Sequence, residues 1–174
     1  MHKALLVLVG TVAVVAMGFA VAGLASSGSS TGGLAGTSET TSESTTETAK
    51  PTKWATTLGT GQEVPKPKGV KPGATGTFTV AVTEKGAAYS GKYTLTFRNL
   101  TGRAMAAHIH RGKVGKTGPV VLALCGPCTS GRTANARVSK TVLAAMKAGS
   151  AYVNVHTARN AAGEIRGQVR RKTG

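Results

Sequence analysis

The residues best suited to chemistry in this chain are three histidines. His108 and His110 lie in His108-Ile109-His110-Arg111-Gly112, and His156 lies in Tyr152-Val153-Asn154-Val155-His156-Thr157. The fourth histidine, His2, falls in an apolar N-terminal run. Successive side chains of a strand point to opposite faces, so His108 and His110 would share a face while Ile109 turns to the core. By the same rule Tyr152, Asn154 and His156 share a face opposite Val153 and Val155. If the two strands pair, three imidazoles converge on one spot and offer three nitrogen ligands with a position left open, which is copper or zinc chemistry. Glu164 would then be a fourth ligand, or an acceptor that fixes one imidazole tautomer.

The same residues support a second reading, in which the histidines, Asn154, Glu164 and Arg166 form a hydrogen-bonded polar cluster that ties neighbouring strands together. Arg111 and Arg166 would place positive charge near any cation, and Glu164 could already pair with Arg166. Both readings remain open from sequence. A catalytic reading lacks a named actor, because no Ser, Cys or carboxylate stands beside an obvious base and orienting partner.

Cys125-Gly126-Pro127-Cys128 has the spacing of a thioredoxin redox motif, but no helix begins there and no β-α-β alternation surrounds it. Outside the cytoplasm, two cysteines this close read as a small-loop disulfide. Asn99-Leu100-Thr101 fits a glycosylation sequon, and its place in an Asn-Leu-Thr-Gly turn supplies backbone geometry as the reason for it.

These residues sit in short alternating runs separated by Gly and Pro. WATTLGT from Trp54 is a first strand. Thr77 to Thr83 places Phe78, Val80 and Val82 on one face, and Glu84-Lys85-Gly86 is a hairpin turn into a strand whose Tyr89, Gly91, Tyr93, Leu95 and Phe97 alternate with polar residues. Residues 104 to 111 carry the first histidine pair, with Met105, Ala107 and Ile109 expected to face the core. Pro119 to Leu124 is a short apolar strand. One helix is expected over Ser139 to Lys147, with Ser139 as cap, Val142, Leu143 and Met146 as its apolar stripe, and Gly149 as its stop. Ala151 to Thr157 and Glu164 to Arg170 are the last two strands, the second with Ile165 and Val169 inward and Glu164, Arg166 and Gln168 outward. About seven strands with one minor helix imply an antiparallel sandwich or partly closed barrel.

The N-terminal 50 residues differ in kind. Residues 1–25 combine a basic start with an uncharged apolar run, which reads as an export signal, either cleaved after Gly23-Leu24-Ala25 or kept as a membrane anchor. Residues 26–50 are a Ser/Thr/Gly/Glu tract with too little apolar surface to offset chain entropy, which implies a disordered linker. Residues 51–174 carry 20 Lys and Arg against Glu63, Glu84 and Glu164, a net charge of +17. Such a charge favours an anionic cell-envelope, matrix or membrane component as partner. Nucleic acid does not fit, since aromatics for stacking are few and no reader motif is present.

Three motifs in order, LGTGQEVP, NLTGRAMAAHIHRGKVGKTGPVV and AGSAYVNVHTARNAAGEIRGQV, resemble the CHRD domain, the module named after chordin. The resemblance covers roughly Trp54 to Val169. It implies an all-β, antiparallel, Greek-key-like β-sandwich of immunoglobulin-like or superoxide-dismutase-like character with one short helix, in an extracytoplasmic protein that is secreted or membrane-tethered. The His-x-His spacing is also that of copper/zinc superoxide dismutase, but three domain histidines are too few for that two-metal site. The expected function is therefore a non-enzymatic extracellular binding or structural module, with copper or zinc binding through His108, His110 and His156 as the alternative.

Overall fold

The computed structural model describes residues 49–86 and 88–173. The export segment and most of the linker expected for residues 1–50 lie outside the described residues. Nine strands and one helix follow in order: β1 Thr52–Gly59, β2 Thr75–Lys85, β3 Ala88–Arg98, β4 Ala104–Arg111, β5 Val120–Cys125, β6 Arg132–Val138, α1 Lys140–Lys147, β7 Ala151–Thr157, β8 Ile165–Gln168 and β9 Arg170–Arg171. A single 3₁₀ turn, Thr60–Gln62, follows β1.

The strands form one antiparallel sheet in the order β5-β4-β7-β8-β1-β2-β3-β6, with β9 also on β1. The sheet curls into a nearly closed barrel. Near its free ends the Tyr93 hydroxyl on β3 donates to the Leu124 carbonyl on β5 at 2.5 Å, a tie across the core. The inward residues of β2 and β3 are the expected ones: Phe78, Val80, Val82, Tyr93 and Leu95 are buried, with the Phe78 and Tyr93 rings stacked at 6.0 Å. Ala107, Ile109, Val153, Val155, Ile165 and Val169 join them in one apolar cluster.

Local signals behave as their chemistry requires. The Ser139 hydroxyl accepts from the Val142 amide at 3.2 Å, capping α1, and Val142, Leu143 and Met146 are buried beneath it. Asn99, between β3 and β4, has φ 57°, the left-handed conformation that Asn tolerates, so the Asn-Leu-Thr-Gly turn has the backbone reason expected of it. Cys125 and Cys128 form a disulfide.

Two expectations are corrected, and one strand is added to those expected. Met105 does not face the core: it is 49% exposed, because a bulge between Ala104 and Ala106 against β7 inserts one residue and hands its inward place to Ala104. Strand β6, hidden in the polar run Arg132–Val138, pairs with β3 along seven residues as a half-exposed edge. The outward face expected for Glu164, Arg166 and Gln168 is buried, because loops roof it over.

The last strand also divides in two. Its first part pairs with β7 through Tyr152↔Gln168 and Asn154↔Arg166, and its second part pairs with β1 through Ala55↔Arg170. At the crossover Gly167 lies against β1 so closely that a Cβ there would run into the Thr57 carbonyl and the Thr56 hydroxyl. Gly167→Ala is therefore expected to destabilise the domain by about 1–3 kcal/mol through overpacking, read as a lower midpoint in urea denaturation.

Candidate functional site

The site is built on the second face of β4, β7 and β8, the face turned away from the apolar core. Register places it: His108 pairs with Asn154, which pairs with Arg166, and His110 pairs with Tyr152, which pairs with Gln168. His156 stands one row further, opposite Ala106. Three loops cover this face, formed by residues 60–74, 112–118 and 158–163. Their backbone carbonyls and amides meet its polar side chains.

The three histidines meet. His108 Nδ1 and His156 Nε2 are 3.0 Å apart, and the ring centroids of His108 and His110 are separated by 5.7 Å. One ligand nitrogen from each of the three lies within 4.8 Å of the others. The loops fix two of the rings. His110 Nδ1 donates to the Gly118 carbonyl at 2.9 Å, and His156 Nδ1 donates to the Ala161 carbonyl at 2.9 Å. A carbonyl can only accept, so both rings carry their proton on Nδ1 and present the Nε2 lone pair inward. The buried His110 Nε2 has no hydrogen-bond partner among the described residues.

Burial lowers the pKa of His108, and the neighbouring His110 adds to the effect. Burial also lowers that of His156; the hydrogen bond to Ala161 pulls it back up, while His108 and His110 push it down. Both shifts favour the neutral form of His108 and His156.

Tyr152 separates this cluster from a second one. Its ring stacks on His110 at 4.8 Å with an interplanar angle of 8°, and the Arg166 guanidinium lies 3.4 Å from its centroid. His110 comes from β4 and Arg166 from β8, the strands that flank β7. Arg166 Nη2 donates to the carbonyls of Lys113 at 3.0 Å and Lys116 at 2.9 Å, which holds the 112–118 loop in place. Gln168 Nε2 donates to the Gly112 and Gly149 carbonyls at 2.8 and 3.0 Å.

Glu164 stands apart from the histidines. Its carboxylate accepts from the Thr101 amide at 2.7 Å, from the hydroxyls of Thr101 and Thr157 at 2.5 and 2.6 Å, and from Asn160 Nδ2 at 3.2 Å. Burial pushes its pKa up, but these donors together outweigh burial and hold it below the ordinary value. Fully engaged in this way, it pins the turn after β3 to the end of β7. It neither ligates with the histidines nor pairs with Arg166.

The carboxyl whose charge acts on Arg166 is that of Glu63, which sequence reasoning missed. It lies just past the 3₁₀ turn, inside the motif LGTGQEVP, and is 1% exposed. Gly163 makes room for it: a Cβ at Gly163 would collide with the Glu63 carboxyl and lie 2.8 Å from Asn154 Nδ2. Burial raises the Glu63 pKa to about 7, against the downward pull of the Val64 amide, Arg166 and Asn154. Its position in a turn between strands gave no periodicity to read. The only available signal was scarcity, since residues 51–174 contain three carboxylate side chains in all.

A family model described as the CHRD domain matches residues 54–169, a span that runs from within β1 through β8 and includes every residue of the site. No curated protein and no solved structure matches the chain.

The raised pKa of Glu63 has a definite sign in stability. Its folded value of about 7 stands above the ordinary 4.5, so its contribution is fully present below pH 4.5 and is lost as pH rises towards and through 7. Urea unfolding at a series of pH values is expected to show wild type losing stability relative to Glu63→Gln across that window. Parallel curves for the two proteins would contradict it.

Proposed function

The chain belongs to the CHRD domain family, and from the geometry of its histidine cluster we propose that it is a non-enzymatic, extracytoplasmic binding module whose ligand at this site is copper or zinc. One observation carries the reading. Two of the three rings are held by Nδ1–H donation to backbone carbonyls, which leaves Nε2 of each for a ligand, and one nitrogen from each of the three lies within 4.8 Å of the others. That arrangement of an outer acceptor fixing the ligand tautomer is the one metal-binding histidines use. The ligand set is His108 Nδ1, His110 Nε2 and His156 Nε2.

One short separation already fits a shared ion, and the longest requires the rings to draw together on binding. Two nitrogens bound at about 2.0–2.1 Å in a tetrahedral site lie roughly 3.3 Å apart. The 3.0 Å separation of His108 Nδ1 and His156 Nε2 is close to this. Opposed ligands reach at most about 4.2 Å, so a 4.8 Å separation must close by at least about 0.6 Å, and by about 1.5 Å to reach the tetrahedral spacing. Binding breaks the His108–His156 hydrogen bond and leaves His108 protonated on Nε2. Tyr152 and Asn154 stand between the histidines and Arg166, which moderates the repulsion that a guanidinium would exert on a cation. A bound ion would supply a Lewis-acidic centre; the chain supplies the imidazoles and the roof that limits water.

A second reading rests on surface charge. Of the three carboxylate side chains in residues 51–174, Glu63 and Glu164 are buried, which leaves Glu84 as the one exposed acid among the described residues. A surface this uniformly basic favours an anionic polymer or membrane of the cell envelope. Its binding to heparin or to anionic lipid vesicles is expected to fall steeply between low and physiological salt; salt-insensitive binding would contradict it.

Titrating the protein with Zn(II) or Cu(I) while following imidazole NMR signals tests the metal reading. His108, His110 and His156 are expected to respond together and saturate at one equivalent, and His156→Ala is expected to weaken binding by more than about 100-fold. Saturation without any response from these three rings would overturn it.

A further inference from the structure

Beyond the histidines, the same roofed face holds a second group of polar atoms that the metal reading does not use. Arg166 is 1% exposed, and its hydrogen bonds run from Nη2 alone, to the Lys113 and Lys116 carbonyls. Its Nε and Nη1 have no hydrogen-bond partner among the described residues, and neither does Glu63 Oε1. Three charged N–H donors, one on Nε and two on Nη1, are therefore buried without an acceptor. A buried donor left without an acceptor is costly, and a charged one more so.

We infer that Arg166, with Glu63 beside it, forms a site for a small oxyanion of the carboxylate class, separated from the histidine cluster by Tyr152. The guanidinium supplies the charge and the N–H donors. The Glu63 carboxyl, in its protonated form, donates its O–H to the same anion. Tyr152 closes one side with its ring, and Asn154 lies by the Glu63 carboxyl next to Gly163.

Charge supports this choice of ligand. A buried guanidinium needs a counter-charge, and no carboxylate hydrogen-bonds it among the described residues. Glu63 is the nearest acid in effect, but its pKa of about 7 leaves it half-neutral at neutral pH. The loops that roof the guanidinium carry Lys113, Lys116, Lys66 and Lys68, so the approach to the site is positive throughout. The site draws an anion and stabilises it most while Glu63 keeps its proton.

Formate remains ionised through the whole neutral range, so its binding reports Glu63 and not itself. Titrating the full chain, free of metal, with formate while following the Arg166 Nε–H cross-peak is expected to give a saturable shift. The affinity is expected to be about tenfold weaker at pH 8 than at pH 6, and the same at both values in Glu63→Gln, whose amide keeps a donor in place. No formate-dependent shift at either pH, with the Arg166 signal moving only with pH as Glu63 ionises, would overturn the inference: Arg166 and Glu63 would then answer only each other. Formate binding that ignores pH in wild type would overturn the role of Glu63. Both outcomes are independent of whether the histidines take a metal.

Discussion

The antiparallel register between β4 and β7 is the constraint on which the rest of this structure depends. Ala107 to Arg111 run against Val155 to Ala151 without interruption, so that His110 faces Tyr152 and His108 faces Asn154. Because side chains alternate with a period of two, a slip by one residue would turn the histidines into the apolar core and bring Ile109, Val153 and Val155 out. The bulge at Met105 and the hydrogen bond from the Gly112 amide to the Ser150 carbonyl at 2.7 Å bracket this register from its two ends. The apolar core therefore does more than stabilise the fold. It fixes which of two faces the imidazoles occupy.

Burial of both faces creates the second requirement. Once loops 60–74, 112–118 and 158–163 cover the polar face, every polar atom on it must find a partner or remain costly. Glu164, Asn160, Thr101 and Thr157 meet that requirement among themselves, and Asn160 extends it to the 60–74 loop, accepting from the Lys68 amide at 2.7 Å. The histidines and Arg166 meet it only in part: loop carbonyls bond His110, His156 and Arg166 on one side, while His110 Nε2 and Arg166 Nε and Nη1 have no partner among the described residues. The contrast separates a structural network from groups still able to take a ligand. The carboxylate with a lowered pKa belongs to the first, and the one raised to about 7 belongs to the second.

Much of this was legible in the sequence where one face of a strand is apolar. Phe78, Val80 and Val82 alternate with polar residues, and the face they chose is the one observed. The shared face of His108, His110 and His156 followed from the same rule. Less legible was anything set by the covering loops. Arg166 and Gln168 alternate with Ile165 and so read as solvent-facing, yet backbone carbonyls of a distant loop bury them; no local pattern encodes that contact. Glu63 lies on a turn with no periodicity, and Met105 was misplaced because a bulge breaks the alternation from which its direction was inferred. Strand β6 escaped notice because Arg, Thr and Asn on its exposed side and Ala on the other leave little hydrophobic contrast.

The central claim is that His108, His110 and His156 bind one ion through three nitrogens. X-ray absorption at the zinc or copper edge of the loaded protein tests it most directly. The account predicts a first shell containing three imidazole nitrogens at about 2.0–2.1 Å, falling to two in the His156→Ala variant. A shell made of oxygen or sulfur, or one that the substitution leaves unchanged, would contradict it.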